Sequence, residues 1–120
     1  MATLLASLHK PDCLCTIGSP LVGDHEFVAT LEGVKARRFV DCCDIVARVP
    51  PPGPWYAHYG EPSYIDGNRH LHENPSGVFR FSDRFRAAAR YLLKYAWRKG
   101  DVRVRELADH APINYINVLK

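Results

Sequence analysis

The most informative feature of the hydrophobic pattern is a short apolar run that ends at a carboxylate and a proline triplet. Residues 39–43 are mainly apolar, and a run of this length is typical of a strand buried on both faces. Asp44 follows, and the prolines at 50–52 cannot continue a strand or a helix, because proline lacks an N–H and has a fixed φ. The pattern therefore predicts a buried strand with Asp44 at its C-terminal end, where α/β proteins gather ligand-binding and catalytic groups.

The residues before this run predict helices that alternate with strands. A helix is expected over residues 1–9, because Pro11 breaks it soon afterwards. A short apolar strand is expected over 13–17, and a helix over 26–31 with Asp24 as its N-cap. This alternation with short connections predicts an α/β fold, in which a parallel sheet is flanked by helices.

The second half of the chain shows a less regular pattern. One or two edge strands are expected over residues 56–65, broken at 60–62, and a polar loop over 66–75. A terminal helix is expected to begin near Pro112, because proline fits the first turn of a helix, and His110 would then lie on the loop just before it.

Another helix is expected over residues 83–99, where apolar residues recur at helical spacing. They would form one stripe that packs on the sheet: Phe85, Ala88, Ala89, Leu92 and Ala96. The same segment carries six cations: Arg84, Arg86, Arg90, Lys94, Arg98 and Lys99. Because a basic amphipathic helix can lie on an anionic membrane surface, the sequence leaves open a non-catalytic module that binds lipid surfaces or proteins through residues 83–99.

Composition and charge exclude several classes of protein. The 120 residues fall within the usual size of one domain, so we expect a single domain over 1–120. A net charge of +3 is too small to indicate a nucleic-acid partner, and no apolar run approaches the roughly 20 residues that span a bilayer. The N-terminus lacks the basic segment of a signal peptide, so the cytoplasm is the default expectation.

The cysteines and the histidine-rich segment do not predict a metal site. Cysteines occur in two pairs within apolar runs, without C-x-x-C spacing, and are expected to be buried thiols: Cys13, Cys15, Cys42 and Cys43. A second group combines two histidines with two carboxylates, which suits zinc: Asp66, His70, His72 and Glu73. Because this segment is expected to be a loop, on which alternate residues do not converge, we predict no metal.

Asp44 and His110 are candidates for the last two members of an acyl-transfer triad. In such a triad the imidazole takes the proton of the nucleophile, and the carboxylate fixes the tautomer of the imidazole. An acid after a strand, followed later by a histidine on a loop, has the order found in α/β-hydrolases. Two alternatives are weaker: Asp41 lies inside the predicted strand, and His58 is expected to pack near an edge strand.

Several segments together resemble class 3 (fungal-type, triacylglycerol) lipases. Residues 16–24, Thr-Ile-Gly-Ser-Pro-Leu-Val-Gly-Asp, resemble the strand and turn that follow the nucleophile helix of that family. Residues 44–51 resemble its acid motif D-x-V-P-x-L-P, with Ala47 where proline is commoner. Residues 56–66 resemble the next strand region, and Asp109-His110 with Tyr115 resembles the terminal histidine segment. The resemblance implies an α/β-hydrolase that cleaves carboxylic esters of acylglycerols or related lipids without a cofactor, with Asp44 and His110 as catalytic residues.

The nucleophile of that family is the missing element. These lipases carry G-H-S-L-G-G-A immediately before the helix that residues 1–6 resemble, and no G-x-S-x-G occurs in the 120 residues. Ser19 is a poor substitute, because Pro20 removes the backbone N–H that normally follows the nucleophile and lines the oxyanion hole. The resemblance therefore predicts the C-terminal half of an α/β-hydrolase fold, inactive alone, whose N-terminal half is a missing partner.

Overall fold

The computed structural model describes residues 1–51, 53–95 and 110–120. The described chain contains four α-helices, four strands and one 3₁₀ turn. In chain order these are α1 (Ala2–His9), β1 (Cys13–Ile17), α2 (His25–Ala29), β2 (Lys35–Asp41), the 3₁₀ turn (Val46–Arg48), β3 (Pro62–Ile65), β4 (Leu71–Glu73), α3 (Gly77–Tyr95) and α4 (Pro112–Leu119).

The four strands form one mixed sheet in the order β1-β2-β3-β4. The first three strands are parallel, with Ile17 opposite Phe39 and Asp41 opposite Ile65. Strand β4 pairs antiparallel with β3. Helices precede β1 and β2, and a 3₁₀ turn connects β2 to β3, so the expected α/β arrangement with a largely parallel sheet is confirmed.

Helices α3 and α4 pack on opposite faces of the sheet. Because neighbouring residues of a strand point to opposite faces, Phe39 and Val40 belong to different layers. Phe39 forms a buried cluster with Ile65 and with Tyr115 of α4. Val40 belongs to the cluster that includes Ala87 of α3 and the residues just after β2. The C-terminal end of β2 is therefore enclosed on both sides, and all residues from Arg38 to Asp44 are buried.

The N-terminal helices pack beside β1 in a cluster of their own. Its buried members are Ala6, Leu14, Leu31 and Val34. Asp24 is the N-cap of α2, as expected, and its Oδ1 accepts a hydrogen bond from the backbone N–H of Phe27 at 2.8 Å. A capping carboxylate satisfies one of the free N–H groups of the first turn, which explains why so short a helix begins at this position.

The boundaries of β2 differ from the expected ones. The strand begins at Lys35 and ends at Asp41, while Cys42 and Cys43 lie in a buried turn. The backbone N–H of Asp44 donates to the carbonyl oxygen of Asp41 at 3.2 Å, and this bond reverses the chain. The apolar pattern extends past the strand because the turn is buried as well.

The assignment of residues 56–75 was partly wrong. Strand β3 is an inner strand with all four residues buried, and not an edge strand. The segment over 66–75, expected to be a loop, contains β4, which pairs with β3 and forms the edge on that side. Pairing satisfies the N–H and C=O groups of β4 that face β3 whatever its side chains are, so a polar sequence can occupy an edge.

Helix α3 begins earlier than expected and faces the other way. It starts at Gly77, and the apolar residues Phe85 and Leu92 of the expected stripe are exposed. Ala87 is the buried residue of this helix, and Asp83 points inward to bond with Tyr64. The expected packing of the stripe on the sheet is therefore wrong. The end of the helix, which was expected at residue 99, lies outside the described residues.

The prediction that all four cysteines are buried was correct for one pair only. Cys42 and Cys43 are buried, whereas Cys13 and Cys15 are exposed. The two exposed cysteines alternate with buried Leu14, so they share the opposite face of β1. Only one face of β1 is buried. Buried and exposed residues alternate over so few positions that the sequence looks like a continuous apolar run.

Candidate functional site

Asp44 and His110 lie in contact, although 66 residues separate them in the sequence. The Nδ1 of His110 is 2.9 Å from the Oδ2 of Asp44. Because a carboxylate only accepts hydrogen bonds, Nδ1 carries the proton, and the Nε2 of the neutral ring is left as an acceptor. The Asp44 side chain is fully buried, and that of His110 is 41% exposed. The expected pairing is therefore present, with the acid inside and the imidazole reaching the surface.

The turn after β2 holds the carboxylate in place. The Oδ1 of Asp44 accepts a hydrogen bond from the backbone N–H of Val46 at 2.8 Å, which is the local bond by which aspartate side chains begin turns. The Nε of Arg48 donates to the backbone oxygen of Asp44 at 3.3 Å. The sequence just after Asp44 thus forms a 3₁₀ turn that orients this residue.

Tyr115 of α4 supplies the other hydrogen bond to Oδ2. Its hydroxyl donates to Oδ2 of Asp44 at 2.5 Å and accepts from the backbone N–H of Asp41 at 3.1 Å. Burial, followed by the bond to Asp44, raises the pKa of Tyr115 far above its ordinary value. The hydroxyl therefore stays protonated. A buried carboxylate is costly unless it is hydrogen-bonded, and Asp44 has three donors.

Gly18 brings β1 against the pair. It has a φ of +57°, and its backbone N–H donates to the carbonyl oxygen of Phe39 at 2.9 Å. A Cβ at this position would lie 2.7 Å from the Oδ2 of Asp44 and 2.9 Å from the Nδ1 of His110. Both the backbone conformation and the space therefore require glycine. The sequence predicts a turn at residues 18–20, but not that Gly18 lies against Asp44 and His110.

The rival acid, Asp41, has a different partner. Its Oδ2 lies 2.5 Å from the Nη1 of Arg69, whose Nη2 donates to the Oδ1 of Asn114 at 3.3 Å. Arg69 therefore links the end of β2 to the first turn of α4. This ion pair holds α4, which carries Tyr115, against the end of β2. Asp41 therefore has a structural role beside the pair formed by Asp44 and His110.

The remaining candidates lie outside this pair. The hydroxyl of Ser19 donates to the carbonyl oxygen of Pro20 at 3.1 Å. The Nε2 of His58 is 3.0 Å from the carbonyl oxygen of Ala47, and burial, followed by the charge of Arg38, lowers the pKa of His58 to about 4. His58 is thus a neutral packing residue, as expected. Asp109 lies outside the described residues.

The histidine-rich segment forms hydrogen bonds centred on Asp66. The Oδ2 of Asp66 lies 3.0 Å from the Nε2 of His72 and 3.5 Å from the Nδ1 of His70, while Glu73 accepts from Ser63 instead. Burial alone would raise the pKa of Asp66, but its hydrogen bonds with His70, His72 and Asn68 outweigh burial and lower it. Within residues 1–51, 53–95 and 110–120, no group of three or more potential ligands has the geometry to hold a metal ion.

Comparisons with known proteins identified no relatives of this chain. No family model, curated protein or solved structure matches the chain. Among the helices that the structure describes, none is long and apolar enough to cross a membrane.

Proposed function

We propose that this chain supplies the acid and the base of a serine ester hydrolase that resembles the class 3 lipases. In this proposal Asp44 is the acid and His110 is the general base, and the substrates are carboxylic esters of acylglycerols or related lipids. The single observation that carries the proposal is the 2.9 Å contact between a fully buried carboxylate and a partly exposed imidazole. The fold is an α/β arrangement, and its assignment to the α/β-hydrolases is part of the proposal.

Each group has a defined task in this chemistry. Asp44 holds the Nδ1 proton of His110, so that Nε2 can accept the proton of an attacking hydroxyl. The carboxylate then stabilises the imidazolium, which donates its proton to the leaving alcohol. Tyr115 and the backbone N–H of Val46 keep Asp44 fixed, because each donates a hydrogen bond to one of its oxygens.

The attacking hydroxyl is expected to come from polypeptide beyond these 120 residues, because they contain no G-x-S-x-G. Removing the nucleophile from a triad enzyme lowers kcat by about 10⁶. The isolated chain is therefore expected to show no esterase activity. Turnover of a short-chain p-nitrophenyl ester that His110→Ala abolishes would contradict this expectation.

The decisive experiment begins with the DNA upstream of the Met1 codon. An in-frame sequence that encodes G-x-S-x-G is expected. The longer product should react with a fluorophosphonate at that serine and hydrolyse p-nitrophenyl butyrate. Asp44→Asn should lower its kcat by about 10⁴, because the amide favours the wrong tautomer of His110. Asp12→Asn, on an exposed turn, is the matched control and should retain activity.

The contact itself can be tested in the isolated chain. A proton held between His110 and Asp44 should give a strongly downfield signal in the proton NMR spectrum. This signal should disappear in Asp44→Asn and persist in Asp12→Asn. If the upstream sequence encodes no such serine, or if Asp44→Asn retains full activity in the longer product, the proposed function is wrong.

A further inference from the structure

The outward face of α3 is apolar over most of its length. Residues 78, 81, 85 and 92 are separated by three, four and seven positions, so they share one face of the helix. Val78, Phe81 and Phe85 are 81%, 72% and 69% exposed, and Leu92 is 61% exposed. Ala87, which packs on the sheet, lies on the opposite side of the helix. We call the outward set the α3 apolar face: Val78, Phe81, Phe85 and Leu92.

Among the described residues of α3, the charges beside this face have one sign. Asp83 is the only acidic residue of α3, and its Oδ2 is turned inward, where the hydroxyl of Tyr64 and the backbone N–H of Gly67 donate to it at 3.0 Å. The other charged residues of the helix are cations. Arg84 and Arg86 adjoin Phe85 and flank the face on its two sides, whereas Arg90 lies on the side of Ala87, where its Nη1 donates to the Oδ1 of Asn68 at 2.8 Å. A surface that approaches the α3 apolar face therefore meets positive charge at its margin.

A cavity of about 210 Å³ joins the α3 apolar face to two guanidinium groups. It is lined by Cys43, Arg48, Phe81, Arg84, Phe85 and Ala88. The Nε of Arg84 donates to the carbonyl oxygen of Cys42 at 3.1 Å, and the Nε of Arg48 donates to that of Asp44 at 3.3 Å. The turn after β2 thus fixes both cations beside two exposed phenyl rings. Such a cavity fits a small anionic group that is attached to an apolar chain.

We propose that the α3 apolar face docks on a membrane surface of anionic phospholipid, with a headgroup phosphate seated beside Arg84. Phe81 and Phe85 would enter the boundary between headgroups and acyl chains, and Arg86 would meet neighbouring headgroups. Apolar contact and attraction to anionic lipid are the two contributions that hold helices of this kind on a bilayer. The proposal does not depend on the esterase assignment.

Charge complementarity favours lipid over a second copy of the chain. In a two-fold dimer the same surface patch meets itself, so the cations beside the α3 apolar face would face cations of the same kind. An anionic bilayer offers opposite charge together with an apolar layer at the depth that the phenyl rings reach. A dimer through this face is therefore the outcome that would overturn the proposal.

The test is co-sedimentation of the full chain with vesicles of phosphatidylcholine, with and without phosphatidylserine. Binding is expected only with the anionic lipid, and it should weaken as salt is raised. Phe81→Ser combined with Phe85→Ser should lower the partition coefficient at least about tenfold. Arg86→Gln should lower it about fivefold, because each cation contributes separately near the surface.

Matched controls keep the test specific. Leu5→Ser combined with Leu8→Ser removes two exposed apolar side chains from α1, and Arg37→Gln removes an exposed cation from β2. These variants should bind like the parent chain, and circular dichroism should show that every variant is folded. Equal binding to neutral vesicles, full binding by the double phenylalanine variant, or a dimer that this variant abolishes would each overturn the proposal.

Discussion

The hydroxyl of Tyr115 lies 2.5 Å from the Oδ2 of Asp44, the same carboxylate oxygen that the Nδ1 of His110 contacts at 2.9 Å. The two donors come from α4 and from the turn just before it. One short segment therefore supplies both the imidazole and the group that holds its acid. The packing of α4 on the sheet through Tyr115 therefore also places His110 beside Asp44.

Tyr115→Phe is expected to destabilise the protein by roughly 1–3 kcal/mol, because the backbone N–H of Asp41 and one bond of the Asp44 carboxylate lose a buried partner. Urea denaturation measures the effect. Tyr56→Phe removes an exposed hydroxyl and should stay within about 0.5 kcal/mol of the parent. Equal stability of the two variants would show that the Tyr115 hydroxyl does not hold Asp44.

Gly18→Ala should destabilise the fold and separate the two side chains of the pair. The new methyl group meets a positive φ and also the space occupied by Asp44 and His110. Gly33→Ala is the control for the first effect, because Gly33 has a φ of +87° but no atom within 4 Å of an added Cβ. The cost of left-handed strain is about 1–2 kcal/mol. We expect Gly18→Ala to cost more than Gly33→Ala in urea unfolding and to abolish the downfield proton signal.

His58 should make the stability of the protein fall between about pH 6.5 and pH 4. Its pKa is lowered from 6.5 to about 4, chiefly by burial, so the unfolded chain binds a proton in this range that the folded chain does not. Stability rises with pH where the unfolded state binds more protons, so this contribution is complete above 6.5 and is lost as the pH falls towards 4.

Unfolding measured across this range, with His58→Gln beside the exposed control His9→Gln, separates the contribution of His58. The His58 variant should show a flatter dependence on pH than the His9 variant. An NMR titration in which His58 protonates near pH 6.5 would contradict the assignment.

The four thiols should fall into two classes of reactivity. Iodoacetamide should modify Cys13 and Cys15 in the native protein, because both are exposed on β1. Cys42 and Cys43 are buried and should react only after unfolding. Mass spectrometry of peptides after labelling with and without urea identifies the modified positions. Rapid native labelling of Cys42 would show that the turn after β2 is open.

Local signals in the sequence were sufficient to predict where several helices begin or end. The N-cap at Asp24 and the chain breaks at Pro11 and Pro112 fixed where helices begin and end, since capping and proline chemistry act within a few residues. The edge strand β4 was missed because its pairing comes from β3 and not from its own side chains. The orientation of α3 was wrong for the same kind of reason, since its inward face is set by bonds such as the one from Tyr64 to Asp83.

The sequence by itself determined that a carboxylate follows a buried strand and that a histidine precedes a terminal helix, because burial patterns and proline act along the chain. It also named Asp44 and His110 as a pair. Only the tertiary structure decided that they touch, that Tyr115 and Gly18 complete their surroundings, and that α3 turns its phenylalanines outward. These features depend on contacts between segments far apart in the chain, and a linear pattern does not contain such contacts.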